Sequence, residues 1–137
     1  AVLRAIDALP SDVRGRVVRL GPVDETTRAA LVTAAAVLAY PSSDEGFGFP
    51  VLEAMSVGVP VVASRTGGIP ETAGDAALLV EVDDDIAPLA DALRSLLTDE
   101  GLRARLVARG RDRVVAFDWD DHARGMVALW QRATGAA

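Results

Sequence analysis

The 137-residue chain has no cysteine, no lysine and no asparagine, and all fourteen of its basic residues are arginine. Without cysteine there can be no disulfide, thiolate metal site or cysteine nucleophile, which fits a reducing cytoplasm. Without lysine, neither a Schiff base nor a P-loop lysine can form within these residues. The arginines are outnumbered by 20 acidic residues, for a net charge of -6, and form no continuous basic face. Nucleic acid and anionic membrane surfaces both need such a face, so neither is expected as a partner. No apolar run approaches the ~20 residues of a spanning helix, and the N-terminus lacks a secretory pattern. A soluble, cytoplasmic protein is expected. Aromatic residues make up only 4 % of a chain that is 50 % hydrophobic, so alanine, valine and leucine must build the core. That composition suits helices packed closely on a sheet, and the length suits one domain.

Organisation follows from periodicity. Val2, Leu3, Ile6 and Leu9 fall at helical spacing up to Pro10-Ser11-Asp12. Arg16 to Leu20 is β-rich and stops at Gly21-Pro22, which predicts a strand and a turn. Asp24 is placed to cap a helix carrying Leu31 and Val32, and Ala36 to Tyr40 is a short apolar run closed by Pro41. A polar, glycine-containing loop, Ser42 to Phe49, leads to a helix over 51–57, with Pro50 in its first turn and Gly58 at its end. Val59 to Ala63 and Ala77 to Val80 read as two more strands. Short apolar strands alternating with helices indicate an α/β fold, a parallel sheet covered on both faces. From Asp83 onward the pattern changes to three helices over 86–97, 100–115 and 119–132, the last capped by Asp118 with Asp120 and Asp121 in its first turn. Arg103, Arg105, Arg109, Arg111 and Arg113 fit the solvated side of the middle helix.

The chemistry concentrates in Pro41-Ser42-Ser43-Asp44-Glu45-Gly46-Phe47-Gly48-Phe49-Pro50-Val51-Leu52-Glu53, between a buried strand and a helix. Open parallel sheets bind ligands outside the carboxyl ends of their strands, where this loop must sit. Gly46 and Gly48 let backbone N–H groups come close to a ligand, and the helix start adds partial positive charge, an arrangement suited to a diphosphate. Glu45 and Glu53 can accept paired hydrogen bonds from vicinal diols, such as those of a sugar or a ribose. The same residues also fit a plainer account, with Glu53 favouring the helix dipole, Glu45 a surface acid and the glycines forming a tight turn. The loop Ser64 to Glu71 follows the next strand and should lie beside the first.

The run Pro41-Ser42-x-x-Glu45-Gly46-Phe47-Gly48-x-Pro50-x-x-Glu53-Ala54-Met55, then Gly58-x-Pro60-Val61-Val62 and Gly67-Gly68-Ile69-Pro70-Glu71, closely resembles the C-terminal domain of retaining glycosyltransferases of family 4, which have the GT-B fold. The likeness extends from Val18-Arg19-Leu20-Gly21 through Gly74-Asp75-Ala76 to Phe117-x-Trp119. It implies a Rossmann-like half that binds a nucleoside-diphosphate sugar. Glu45 becomes the catalytic-site carboxylate, contacting donor-sugar hydroxyls, and amides around Gly46, Phe47 and Gly48 hold the sugar. Glu53 takes the ribose hydroxyls, amides near Val51 and Leu52 face the diphosphate, and Arg19 lies against the base. No metal or other cofactor is expected, since helix ends and cationic side chains would meet the charge of the leaving diphosphate.

The departures matter as well. The family supplies an Arg and a Lys from an earlier part of the domain to clamp the diphosphate, and this chain has no Lys. Nor is there an acceptor domain, so the acceptor sugar, lipid or small molecule, and any membrane association, would belong to a missing part. The sequence therefore reads as a single nucleotide-sugar-binding domain, residues 1–137, that lacks its first strands and an N-terminal acceptor domain and is inactive alone. His122 reads as a surface or packing residue. Three alternatives stand beside this one: a glycosidase using Glu45 and Glu53 as its acid pair, a GT-B nucleotide-sugar epimerase, and a non-catalytic nucleotide-sugar-binding module.

Overall fold

The computed structural model describes residues 2–82 and 85–135, so Asp83, where the sequence pattern changes, lies outside the described residues. The elements run α1 (Val2–Asp7), α2 (Ser11–Arg14), α3 (Glu25–Thr33), β1 (Leu38–Tyr40), α4 (Phe49–Ser56), β2 (Val61–Ser64), α5 (Ile69–Ala73), β3 (Leu78–Val80), α6 (Ala87–Thr98), α7 (Glu100–Val115) and α8 (Trp119–Thr134). The strands form one parallel sheet in the order β1-β2-β3, with Leu38 opposite Val61 and Val62 opposite Leu78. Parallel neighbours need a crossover connection, which α4 and α5 supply in turn. This is the Rossmann-like α/β arrangement expected, followed by three C-terminal helices.

Alternation along β2 divides the core. Val61 and Ala63 pack with Val51, Met55 and Ile69 of α4 and α5, while Val62 faces Leu96 of α6 and Leu106 of α7. β2 is buried throughout, as a central strand covered on both faces must be. α7 serves both layers, because its Val114 reaches the first cluster. It crosses α4 closely at Gly110, where an added Cβ would lie 3.0 Å from Met55 Cγ.

The helix starts follow the sequence. Asp24 Oδ1 accepts from the Thr27 N–H at 2.7 Å, and Asp118 Oδ1 accepts from the Asp120 and Asp121 N–H groups at 2.8 and 3.1 Å. The Thr27 backbone bond also holds the Asp24 carboxyl below the usual carboxylate range. Among the described residues, no helix is long and apolar enough to cross a membrane.

Three local expectations are corrected. Arg16 to Leu20 forms no strand. The Arg16 and Val17 N–H groups donate instead to the Val13 and Arg14 carbonyls at 3.0 and 3.1 Å, and no described segment pairs with Val18 to Leu20. An unpaired extended segment gains no ladder, and its apolar side chains remain uncovered, Val18 being 76 % exposed. The loop after β2 is shorter than Ser64 to Glu71, since α5 already begins at Ile69, with Pro70 in its first turn. Finally, the arginines of α7 are not simply solvated. Arg109 pairs with Asp75 at 3.4 Å, and Arg113 donates from Nε to the Thr72 carbonyl at 3.0 Å and from its guanidinium to the Glu71 carbonyl. A long arginine can lie along an apolar surface and reach carbonyls beyond it, and Arg113 does so over the Phe117 ring, 4.9 Å from its centroid.

Candidate functional site

The two glycine-containing loops meet at the carboxyl edge of the sheet, backbone against backbone. The Gly68 N–H donates to the Glu45 carbonyl at 2.9 Å, and the buried Ser64 hydroxyl donates to the Ser42 carbonyl at 2.6 Å. Side chains have no room at this seam. A Cβ on Gly67, whose φ is +54°, would sit 1.9 Å from the Glu45 carbonyl oxygen, and one on Gly68 would sit 2.3 Å from that of Gly46. Behind the seam, the buried Thr72 hydroxyl of α5 donates to the Phe47 carbonyl at 2.5 Å. The Phe47 ring lies tilted against Phe49, with centroids 4.6 Å apart, and edge-on to Phe117 at 5.7 Å. The loop is therefore a braced element rather than a free one.

Glu45 is the hub of this loop. Its Oε1 accepts from the Phe47 and Gly48 N–H groups at 3.3 and 3.1 Å, and its Oε2 accepts from the Tyr40 hydroxyl. Tyr40, first among the causes, and the loop amides hold the Glu45 carboxyl below the usual range, while the bond to Glu45 and burial push the Tyr40 phenol up. Gly48 caps α4 at φ +94°, a left-handed conformation that glycine adopts without strain, and so delivers the chain from the loop into the helix.

The pH consequence of this hub can be worked out by sign. A depressed carboxyl contributes stability above its unfolded pKa and loses it as pH falls through the lower, folded value. A raised phenol contributes below its unfolded pKa and loses that contribution as pH rises through the higher, folded value. Melting temperature recorded against pH is therefore expected to show a margin of wild type over Glu45→Gln that shrinks below about pH 4 and again above about pH 10. A margin constant from acid to alkali would contradict the charge state assigned to the hub.

The remaining expected residues are placed as follows. Gly46 has open space where a Cβ would be, and its carbonyl faces Gly68. The Val51 N–H donates to the Gly48 carbonyl at 2.9 Å, and the Val51 and Leu52 side chains are buried in the core. Glu53 is the fifth residue of α4 rather than in its first turn, so the helix dipole, which acts within the first turn, does not account for it. Its carboxylate pairs instead with Arg28 of α3, both side chains being partly exposed. Such a surface pair is worth about 0–1 kcal/mol, so a ligand can open it at little cost. Arg19 lies in the exposed segment ahead of α3 and makes no hydrogen bond or ion pair among the described residues. His122 is exposed in the first turn of α8. Among the described residues there is no group of three His, Cys, Asp or Glu that could hold a metal ion.

Tyr40, Arg28, Thr72 and Arg113 had no part in the site as read from the sequence, which placed Tyr40 at a strand end and Arg113 on a solvated helix face. Only Tyr40 left a trace there, as the one residue with a polar atom at the end of an otherwise apolar run.

A parallel sheet with a braced glycine loop, a buttressed carboxylate and a helix start at its carboxyl edge is the Rossmann-like arrangement, a fold class that places its ligands at that edge. The family described as Glycosyl transferases group 1 matches residues 8–113, and the chain belongs to that family. Among similar proteins, the phosphatidyl-myo-inositol mannosyltransferase of Mycolicibacterium smegmatis is 37 % identical over 128 residues, 91 % of this chain and 33 % of that protein. The D-inositol 3-phosphate glycosyltransferase of Xylanimonas cellulosilytica is 39 % identical over 136 residues, 96 % of this chain and 32 % of that protein. Among solved structures, the sucrose-phosphate synthase of Thermosynechococcus elongatus superposes with a TM-score of 0.79 at 35 % identity, over 92 % of this chain and 32 % of that one. The C-terminal domain of a glycosyl transferase group 1 family protein from Francisella tularensis gives a TM-score of 0.62 at 32 % identity, over 71 % of this chain and 51 % of that domain. The chain thus has the fold of a GT-B C-terminal domain and spans about a third of the length of the curated relatives it matches.

Proposed function

We propose that this chain is the donor-binding part of a retaining glycosyltransferase of family 4, which moves a hexosyl group from a nucleoside-diphosphate sugar to an acceptor hydroxyl. The observation that carries the reading is Glu45, an ionised carboxylate fixed on both oxygens at the carboxyl edge of the sheet, directly ahead of α4. Such a group accepts hydrogen bonds from sugar hydroxyls and donates none. Glu53, eight residues further on, takes the ribose diol once Arg28 moves aside. The Phe47 and Gly48 N–H groups serve the donor through Glu45, to which they donate, while Gly46 and the helix start at Val51 and Leu52 line the path of the sugar and diphosphate, with Arg19 on the side of the base.

Transfer breaks the bond between the anomeric carbon and the diphosphate oxygen, and the acceptor oxygen takes its place. This chain's part is to hold the donor and to meet the charge that grows on the leaving diphosphate with the N-terminus of α4, without a resident metal or cofactor. The acceptor, a sugar, lipid or small molecule, is bound outside these residues, so the 137 residues alone bind donor in the cytoplasm without transferring it. Sugar transfer by the isolated chain would overturn that last statement.

The ribose role has its own test. Glu53→Ala is expected to weaken nucleoside diphosphate and nucleoside-diphosphate sugar alike, by the ~2–3 kcal/mol of one or two charge-assisted bonds, or roughly 30- to 150-fold in Kd. Unchanged affinity for both in titration calorimetry would remove it.

A further inference from the structure

We propose that Tyr40 is a positioning residue for Glu45, setting which carboxylate oxygen is presented to the donor sugar; this rests on Glu45 being the donor-sugar carboxylate. Tyr40 is the last residue of β1, in register with Ala63 of the buried strand β2, and its ring packs against the core cluster of α4 and α5. Pro41 follows and holds Tyr40 to an extended backbone. The ring is therefore carried by the sheet, and its hydroxyl donates to Glu45 Oε2 across the root of the loop.

A carboxylate offers about four acceptor positions, two on each oxygen. On Glu45, Oε1 is filled by the Phe47 and Gly48 N–H groups, and one position on Oε2 is filled by Tyr40. The Gly46 amide also acts on the carboxylate, more weakly and outside hydrogen-bond geometry, so the position left open is on the oxygen that Tyr40 holds. Without the phenol, the carboxylate could rotate about its last bond, and that position would no longer be fixed relative to the loop. A phenylalanine would fill the same space in the core and lose only this constraint. Among the described residues, Glu45 is the charged group that acts on Tyr40, and Tyr40 and the amides of Phe47, Gly48 and Gly46 act on Glu45, with burial working on both. The pair can accordingly be probed in isolation.

Tyr40 is the sole tyrosine of the chain, so tyrosinate absorbance reports on it directly. Alkaline titration of the 137-residue protein is expected to give a higher midpoint for wild type than for Glu45→Gln. Equal midpoints would overturn the pairing. If Glu45→Gln does not fold, Glu45→Ala takes its place, with the same two outcomes. The positioning role is read by calorimetry with UDP, GDP and ADP and their sugars. Tyr40→Phe should lower affinity for the nucleoside-diphosphate sugar about tenfold, as for one charge-assisted bond, and leave the nucleoside diphosphate unchanged. A full sugar-dependent increment in Tyr40→Phe overturns the positioning role. Failure of wild type to bind any donor counts against the donor reading, and the tyrosine titration still decides whether Tyr40 holds Glu45.

Discussion

Gly67→Ala is expected to destabilise the chain by about 2–5 kcal/mol, the sum of a left-handed backbone penalty of about 1–2 kcal/mol and an overpacking cost of about 1–3 kcal/mol. The added methyl would lie 1.9 Å from the Glu45 carbonyl oxygen, inside any permitted contact, and the atom it meets is backbone, which cannot swing away. The two loops must separate, and with them goes the bond from the Gly68 N–H to the Glu45 carbonyl. For a domain with about 5–15 kcal/mol in total, that is a large fraction, and it should lower the melting temperature by on the order of 10 °C. Gly21→Ala is the matched control: its φ of +67° carries the same backbone penalty, but a Cβ there would have no heavy atom within 4 Å. The difference between the two variants isolates the seam. Equal losses in thermal melts would mean that the loops are not in contact.

Glu45→Gln is the second large effect, and it falls on recognition. The substitution keeps the shape and the oxygen facing the loop amides but removes the charge that makes the site a strong acceptor. Affinity for the nucleoside-diphosphate sugar should drop roughly 30- to 150-fold, as expected for losing a charged hydrogen-bond partner, while affinity for the nucleoside diphosphate stays the same. The pattern thus differs from that of Glu53→Ala, which weakens both ligands. In a full-length enzyme the same change should reduce kcat by about 100- to 1,000-fold if Glu45 also serves the transition state. Parallel losses for both ligands in Glu45→Gln would place that residue on the nucleotide instead of the sugar.

How much of this could be read from the residues follows from the range of the interactions. β2 and β3 were visible because central and flanking parallel strands are short apolar runs, and Asp24 and Asp118 were visible because capping is settled within three residues. The loop from Ser42 to Phe49 announced itself through its glycines, which mark where backbone must pass close to something. That the loop after β2 lies beside it follows from the shared sheet edge and is borne out, but the contact itself was not legible: Gly67 and Gly68 are spaced from Glu45 and Gly46 by a whole helix and strand. Arg28 meets Glu53 across 25 residues, Thr72 meets Phe47 across 25, and Arg113 meets Thr72 across 41, and no local pattern encodes such pairings. Arg16 to Leu20 shows the reverse error. Its β-branched composition is real, but a strand exists only where a partner supplies a ladder, and local propensity cannot see whether one is present.

The central claim is that this chain binds a nucleoside-diphosphate sugar through Glu45 and Glu53. Its most direct test is titration calorimetry of the 137-residue protein with UDP-, GDP- and ADP-sugars. Saturable binding of at least one of them is expected, weakened in both Glu45→Gln and Glu53→Ala. Wild-type binding that both variants retain in full, or no binding of any of these donors, would contradict it.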